Sequence, residues 1–201
     1  TATLAQSPQF YKQIMVGVFE RVYTIGNVFR AEKHATSRHL NEYTSMDFEF
    51  GFIKDHTDIM RLENDLMIYI TKHLQVTCKN EFELLNATIP VVVDSIPVLK
   101  LREAQEIIEK EFGGKAIGEP DLEPEHERQL CEWSKKNHNS DFIFITHYPI
   151  SKRPFYTYED ENDKGFSKSF DLLFRGVEIT TGGQRRHTRA LMLEGLKNKN
   201  L

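Results

Sequence analysis

"FRAEKHATSRHLNEYTSMDFEF", residues 29–50, is the stretch on which the reading of the fold turns. It parses as the end of a strand, a polar loop over 33–38 and a second strand. Side chains alternate across a strand, so Asn41, Tyr43, Ser45, Asp47 and Glu49 share one face of the second strand. Thr44, Met46, Phe48 and Phe50 share the other. A sheet that only covers a core needs the apolar face. Here the second face collects two carboxylates and a lone aromatic ring, while Arg30 and Glu32 share a parity on the neighbouring strand. The loop adds Lys33, His34, Arg38 and His39. An arginine held on a strand presents a fixed fork to phosphate or carboxylate oxygens, and a nearby ring offers a stacking surface to a purine. The pattern fits a clamp for a nucleoside triphosphate. It also fits a solvated sheet face with cross-strand ion pairs, which is the simpler reading of this stretch taken alone.

Outward from the hairpin, "SPQFYKQIMVGVFE" (7–20) predicts a helix. Ser7 is placed as its N-cap and Pro8 as its first residue, and Phe10, Ile14 and Val18 recur at spacing four. Residues 21–31 alternate as a strand. Residues 57–74 place apolar groups at helical spacing. Residues 91–113 read as a strand-like run, a proline turn and a helix stopped at Gly113–Gly114. A helix is expected over 125–137, a buried strand over 141–149, a solvated loop over 158–165, two strands over 166–183 and a closing helix after Arg185. Strands pairing through hairpins among helices indicate an α+β fold. Neither GxxxxGK[ST] nor GxGxxG occurs, which argues against P-loop and Rossmann sites. The net charge of −4 gives no global basic field. Cys78 and Cys131 have no partner at zinc spacing, so a reduced, cytoplasmic protein is expected. No apolar run reaches membrane-spanning length, and no membrane association is expected.

Two further constellations carry chemistry. In "SFDLLFRGVEITTGGQRRH" (169–187), Asp171 and Glu178 are seven apart. In one continuous strand that odd spacing puts them on opposite faces; a bulge or tight turn at Arg175–Gly176 would bring them together. Two converging carboxylates suit a hard Mg²⁺ that also binds phosphates. The alternative makes Asp171 a sheet-edge charge and pairs Glu178 with Arg175. Gly182–Gly183 allow either close backbone approach or a turn, and Arg185 either pairs with an acidic ligand or opens a solvated helix. In "QSPQFYKQ" (6–13), Gln9 and Lys12 share a helix face, which fits a binding pair and an ordinary helix surface equally.

Taken in order, the three pieces resemble the catalytic core of class II aminoacyl-tRNA synthetases, specifically the aspartyl enzymes of archaeal and eukaryotic type. "FRAE", the loop and "RHLNEYTSMDFE" are similar to that class's motif 2; the other two are similar to signatures of the aspartyl enzymes. The resemblance runs over nearly the whole chain and is weakest over 76–140. It implies an antiparallel sheet flanked by helices, with a more variable helical segment at about 94–140. It implies ATP and L-aspartate as substrates, Mg²⁺ as cofactor and the acceptor end of tRNA(Asp) as partner. By this resemblance Arg30 would be catalytic, holding the α-phosphate and the reacting carboxylate. Glu32, Arg38, His39, Tyr43 and Glu178 would also bind ATP, with Tyr43 where the family usually has Phe. His39 and the loop 33–38 would meet the distal phosphates and the acceptor end. Asp171 and Glu178 would hold the metal. Ser7, Gln9, Lys12, Asp47, Thr181, Gly182 and Arg185 would bind aspartate, Lys12 and Arg185 taking its side-chain carboxylate, with Gly183 passing its backbone nearby. The family's Ser-Gly-Ala-Gln-Arg stands here as Thr-Gly-Gly-Gln-Arg.

The same resemblance implies a partial catalytic domain over 1–201, incomplete at both ends. Motif 1, motif 3 and the anticodon-binding domain would lie outside it, and the full-length parent would be a homodimer. Weak or absent activity is therefore expected of the chain alone; full ATP–pyrophosphate exchange by it would refute this. The alternatives are an asparaginyl-tRNA synthetase or synthetase-derived asparagine synthetase, a non-catalytic synthetase paralogue acting as a binding module, and an RNA-binding domain without ATP chemistry. Lys12 and Asp47 favour aspartate over asparagine; Arg30, Asp171 and Glu178 favour catalysis; the acidic net charge disfavours a pure RNA binder.

Overall fold

A computed structural model describes residues 3–31 and 40–201. The chain divides into two compact units, Thr1–Lys54 and Asp55–Leu201.

The first unit is a helix, α1 (Gln9–Phe19), and a hairpin of β1 (Arg21–Phe29) and β2 (Glu42–Phe50). Ser7 is not the N-cap: α1 starts at Gln9 after Pro8, and Ser7 Oγ accepts the Gln9 N–H at 3.2 Å. The strands pair antiparallel from Arg21↔Phe50 to Phe29↔Glu42. Regular pairing ends at Phe29, so Arg30 lies just beyond β1, its N–H still donating to the Asn41 carbonyl at 2.9 Å. The covered side of the hairpin is the polar face of β2, continued on β1 by Val22, Thr24 and Val28, of which Val28 is buried. Tyr23, Ile25 and Met46 are 72%, 59% and 50% exposed. The polar face of β2 receives Gln9 and Lys12 from α1 instead. Polar side chains that bond one another hold helix to hairpin, where the sequence pattern alone suggests apolar packing.

The second unit is built on a sheet of order β3-β4-β5-β6: β3 (Val98–Lys100), β4 (Phe142–Thr146), β5 (Ser169–Phe174) and β6 (Val177–Gly183). The β4–β5 and β5–β6 ladders are antiparallel, and β3 joins parallel to β4. The helices are α2 (Thr57–Thr77), α3 (Lys79–Leu84), α4 (Leu101–Ile107), α5 (Pro124–His138) and α6 (Arg189–Asn198). The expected α+β class holds. Aromatic and β-branched residues make "FIFIT" a strand, and all five are buried because both faces are covered. Phe142 and Phe144 pack with Phe170, Leu172 and Met60 of α2. Ile143 and Ile145 pack with Leu173, Leu101 of α4 and Leu130 of α5.

Three local expectations change. The valines at 91–93 form no strand; Asp141 accepts the Val91 N–H and Asn64 accepts the Ile96 N–H, so side chains replace a ladder there. The predicted helix before Gly113 is α4 followed by one π-helical turn over Ile108–Phe112, and Gly113 ends it at φ 73°. The closing helix begins at Arg189, capped by Thr188.

Two buried groups in this unit titrate in opposite senses. His56, beside the start of α2, is lowered to about 4 by burial and by the neighbouring His147. Glu63, on α2 and 1% exposed, is raised to about 7 by burial, although Thr180 hydrogen-bonds to it. As pH falls from about 6.5 to 4, the unfolded chain takes up a proton at residue 56 that the folded chain refuses, which destabilises the fold. As pH falls from about 7 to 4.5, the folded chain takes up a proton at Glu63, which stabilises it. Each effect is worth about 3 kcal/mol at roughly 1.36 kcal/mol per pKa unit. Glu63→Gln is therefore expected to lose stability towards acid more steeply than the parent chain, and His56→Asn less steeply. Urea midpoints at pH 7 and 4.5 check this; equal shifts in all three proteins contradict it.

Candidate functional site

In the first unit the polar face of β2 is an organised charge network. Lys12 Nζ lies 3.0 Å from Asp47 Oδ1 and 3.8 Å from Glu49 Oε2, with only 9% of the side chain exposed. Gln9 Nε2 donates to Glu49 Oε2 at 2.5 Å, and Ser45 Oγ donates to Asp47 Oδ2 at 2.6 Å. Burial alone would raise the Asp47 carboxyl. Hydrogen bonds from Ser45 and Lys12, with the charges of Lys12 and Arg30, hold it below its ordinary value. Arg30 Cζ sits 5.6 Å from the Tyr43 ring centroid, so guanidinium and ring lie side by side next to an open hollow lined by Leu4, Phe29, Arg30, Ala31, Asn41 and Glu42. The strand pattern brings together Gln9, Lys12, Asp47 and Glu49, and separately Arg30 and Tyr43. Ser7 bonds its own helix start. Glu32, Arg38, His39 and the loop 33–38 lie outside the described residues.

In the second unit the tight turn at Arg175–Gly176, with φ 48° and 86°, makes β5 and β6 a hairpin. Glu178 stands opposite Leu173, which shares a face with Asp171. The register shifts between Leu172 and Leu173, so Thr181 stands opposite Asp171. In a regular strand Glu178 and Thr181, three apart, face opposite ways; the bulge turns both towards Asp171. Asp171 is no sheet-edge charge. It is 4% exposed on an interior strand, and Arg175 bonds Asp141 rather than Glu178. Asp171 Oδ2 accepts from Arg153 Nη2 at 2.8 Å and Oδ1 from Thr181 Oγ1 at 2.6 Å. Burial and the Asp171 charge push the Tyr148 phenol well above its ordinary range, so it stays protonated and hydrogen-bonds Asp171 as well. Glu178 keeps solvent contact along β6, yet the protein crowding its carboxyl, and then the Asp171 charge, push it up to about 7.

Arg185 lies outside any helix, half-buried, with Cζ 4.3 Å from the Tyr156 ring centroid. Gly182 and Gly183 are not at a turn. A Cβ on Gly182 would meet the buried Phe170 ring at 2.5 Å, and one on Gly183 would meet the Lys168 carbonyl oxygen at 2.9 Å. Gly182→Ala is expected to cost about 1–3 kcal/mol by overpacking; an unchanged melting curve contradicts this.

Among the described residues no group of three or more His, Cys, Asp or Glu side chains is arranged to hold a metal. The available donors are two hard carboxylates, Asp171 and Glu178, on one face. That set fits Mg²⁺ in the form it takes when phosphate oxygens and water complete its shell. Burial first, and then the Asp171 charge, raise the Glu178 carboxyl, and a cation between the two acids would favour its ionised form.

Arg153 and Tyr148 escaped the sequence reading, and Ser45 stands in it on the polar face of β2 without a role. Arg153 lies in a turn-rich segment with no periodicity, and its partner is 18 residues away.

The family model described as tRNA synthetases class II (D, K and N) matches residues 1–201. A protein of Thermus thermophilus named aspartate–tRNA(Asp/Asn) ligase is 52% identical over 200 residues, covering 100% of this chain and 46% of its own length. One of the same name from Deinococcus radiodurans is 50% identical over 200 residues, covering 97% and 46%. The chain thus spans about half the length of these curated relatives. Among solved structures, an aspartyl-tRNA synthetase from Entamoeba histolytica superposes with a TM-score of 0.89 at 31% identity, over 98% of this chain and 41% of that one.

Proposed function

The chain belongs to the class II tRNA synthetases of the D, K and N group, and from that membership we propose that the protein activates L-aspartate with ATP and transfers it to tRNA(Asp). The observation that carries this reading is the 52% identity, across the whole chain, to a ligase named for aspartate. The charge network at Lys12 supports it from the structure.

The first step joins an aspartate α-carboxylate oxygen to the α-phosphorus of ATP and releases pyrophosphate. The second passes the aspartyl group to the 3′-terminal ribose of the tRNA and releases AMP. Neither needs a protein nucleophile; both need aligned reactants and neutralised phosphate charge. Arg30 bonds the α-phosphate and the attacking carboxylate, and Tyr43 lies against the adenine. Glu32, Arg38 and His39 belong with them on the ATP side. Asp171 and Glu178 would hold Mg²⁺, which would supply charge neutralisation for the phosphates and the departing pyrophosphate. Ser7, Gln9, Lys12, Asp47, Thr181, Gly182 and Arg185 are the residues assigned to the amino acid. Asp47 orients Lys12, which is already buried and bonded before ligand arrives. Thr181 acts partly through Asp171, to which its hydroxyl is committed.

Cations at Lys12 and Arg185 select a side-chain carboxylate over a neutral amide, because asparagine leaves them poorly compensated. Lys12→Met is expected to raise the KM for aspartate by a factor on the order of 10² and to erode its preference over asparagine. Steady-state exchange kinetics check it, and an unchanged KM contradicts it.

We place residues 1–201 in the catalytic domain of a cytoplasmic homodimer. Free Cys78 and Cys131 support the compartment. The apolar side chains exposed on α1, β1 and β2 support the dimer. No described helix is long and apolar enough to cross a membrane. The direct test is charging of a tRNA(Asp) transcript with labelled aspartate by the full-length protein; absence of charging overturns the proposal.

A further inference from the structure

We propose that Arg153 is a built-in counter-cation beneath the metal site, which keeps Asp171 and Glu178 from holding a divalent ion until nucleotide phosphates arrive. The inference rests on the reading of those two acids as metal ligands.

Four observations carry it. Arg153 Nη2 is 2.8 Å from Asp171 Oδ2, with 20% and 5% of the two side chains exposed. The guanidinium lies over the face of Tyr148, 4.0 Å from the ring centroid, so its plane is held by stacking as well as by the ion pair. Tyr148 itself is buried and hydrogen-bonds the same carboxylate. Thr181 takes the remaining oxygen at 2.6 Å. Asp171 therefore meets three donors, one of them fully charged, on a carboxylate with about four lone-pair positions. Such an acid has little left for a metal and no net charge to attract one. Glu178, nearer solvent, has no direct ion pair among the described residues and feels the Arg153 charge only from a distance.

A resident metal site gathers negative charge; here a guanidinium cancels half of it in advance. With ATP present, the phosphates supply the missing oxygens and charge, and the ion enters as a nucleotide complex. A free ion meets a single weak carboxylate.

The test uses Mn²⁺ as probe on the full-length protein, with free ion counted by electron paramagnetic resonance when nucleotide is absent and protein-bound Mn²⁺ measured by equilibrium dialysis when ATP is present. Arg153→Gln keeps hydrogen-bond donors and removes the charge. It is expected to tighten Mn²⁺ binding in the absence of nucleotide by a factor of about ten or more, with Arg153→Lys unchanged from the parent. Circular dichroism confirms folding; Arg153→Met, which fills the space over Tyr148 without charge, is the second uncharged variant should Arg153→Gln fail to fold. Glu178→Gln separates the two levels of the claim. If it abolishes Mn²⁺ binding in the presence of ATP while Arg153→Gln leaves nucleotide-free binding unaltered, the counter-cation role is wrong and the metal site stands. If Glu178→Gln has no effect on Mn²⁺ binding with ATP, the metal-site reading itself fails.

Discussion

Asp171→Asn is expected to lower stability by about 3–5 kcal/mol, the range for removing one partner of a buried ion pair. The variant should also abolish measurable aspartate activation. The stability loss follows from what stays behind. Arg153 keeps 20% of its side chain exposed and stacks on Tyr148, so it cannot swing into water without giving up that contact. An amide at 171 would still accept one hydrogen bond but would also turn a donor towards the Thr181 or Tyr148 hydroxyl. Adding Arg153→Gln should recover much of the stability, because the unpaired charge is gone, while activity stays lost. That separation in a double-mutant cycle distinguishes a structural ion pair from a ligand that the chemistry also needs. A loss under about 1 kcal/mol for the single variant would mean that Arg153 finds another partner.

Arg30→Ala is expected to act the other way round. Arg30 is solvent-exposed just past β1, where its N–H donates to the Asn41 carbonyl, its guanidinium lies by the Tyr43 ring and its charge reaches Asp47. Stability should change little. The rate of ATP–pyrophosphate exchange should fall by about 10²–10³, the usual consequence of losing one preorganised group at a developing charge. The fall should lie mainly in kcat, since an arginine that bridges the two reactants acts most in the transition state. Rapid-mixing measurement of adenylate formation checks this. A drop of less than tenfold, or one confined to the KM for ATP, contradicts the assignment.

Much of this was legible in the sequence where local chemistry decides the structure. The spacing of Phe10, Ile14 and Val18 places α1, and Gly176 beside Arg175 places the turn that makes β5 and β6 a hairpin. The covered face of the first hairpin was not legible. Alternation names two faces but not which one a neighbour occupies, and here Lys12 and Gln9 of the neighbour bond the polar face of β2. The sequence suggests a bulge or tight turn at Arg175–Gly176; the turn is there, and the bulge lies instead in β6, opposite Leu172 and Leu173. Its effect, turning Thr181 onto Asp171, depends on a register that no spacing rule supplies. Arg153 is the clearest omission. Its role exists only because the fold returns residue 153 to the floor of β5, and a lone arginine before a proline carries no such message. The short β3 was missed because three residues are too few for a period, and the valines at 91–93 were over-read because composition resembles a strand even where side chains take the backbone hydrogen bonds.

The central claim is that this chain's charged residues select and activate aspartate. The most direct measurement is ATP–pyrophosphate exchange by the full-length protein with aspartate or asparagine as the only amino acid. Exchange that depends on aspartate and is at least about 10²-fold weaker with asparagine is the predicted result; equal exchange with both, or a preference for asparagine, would contradict it.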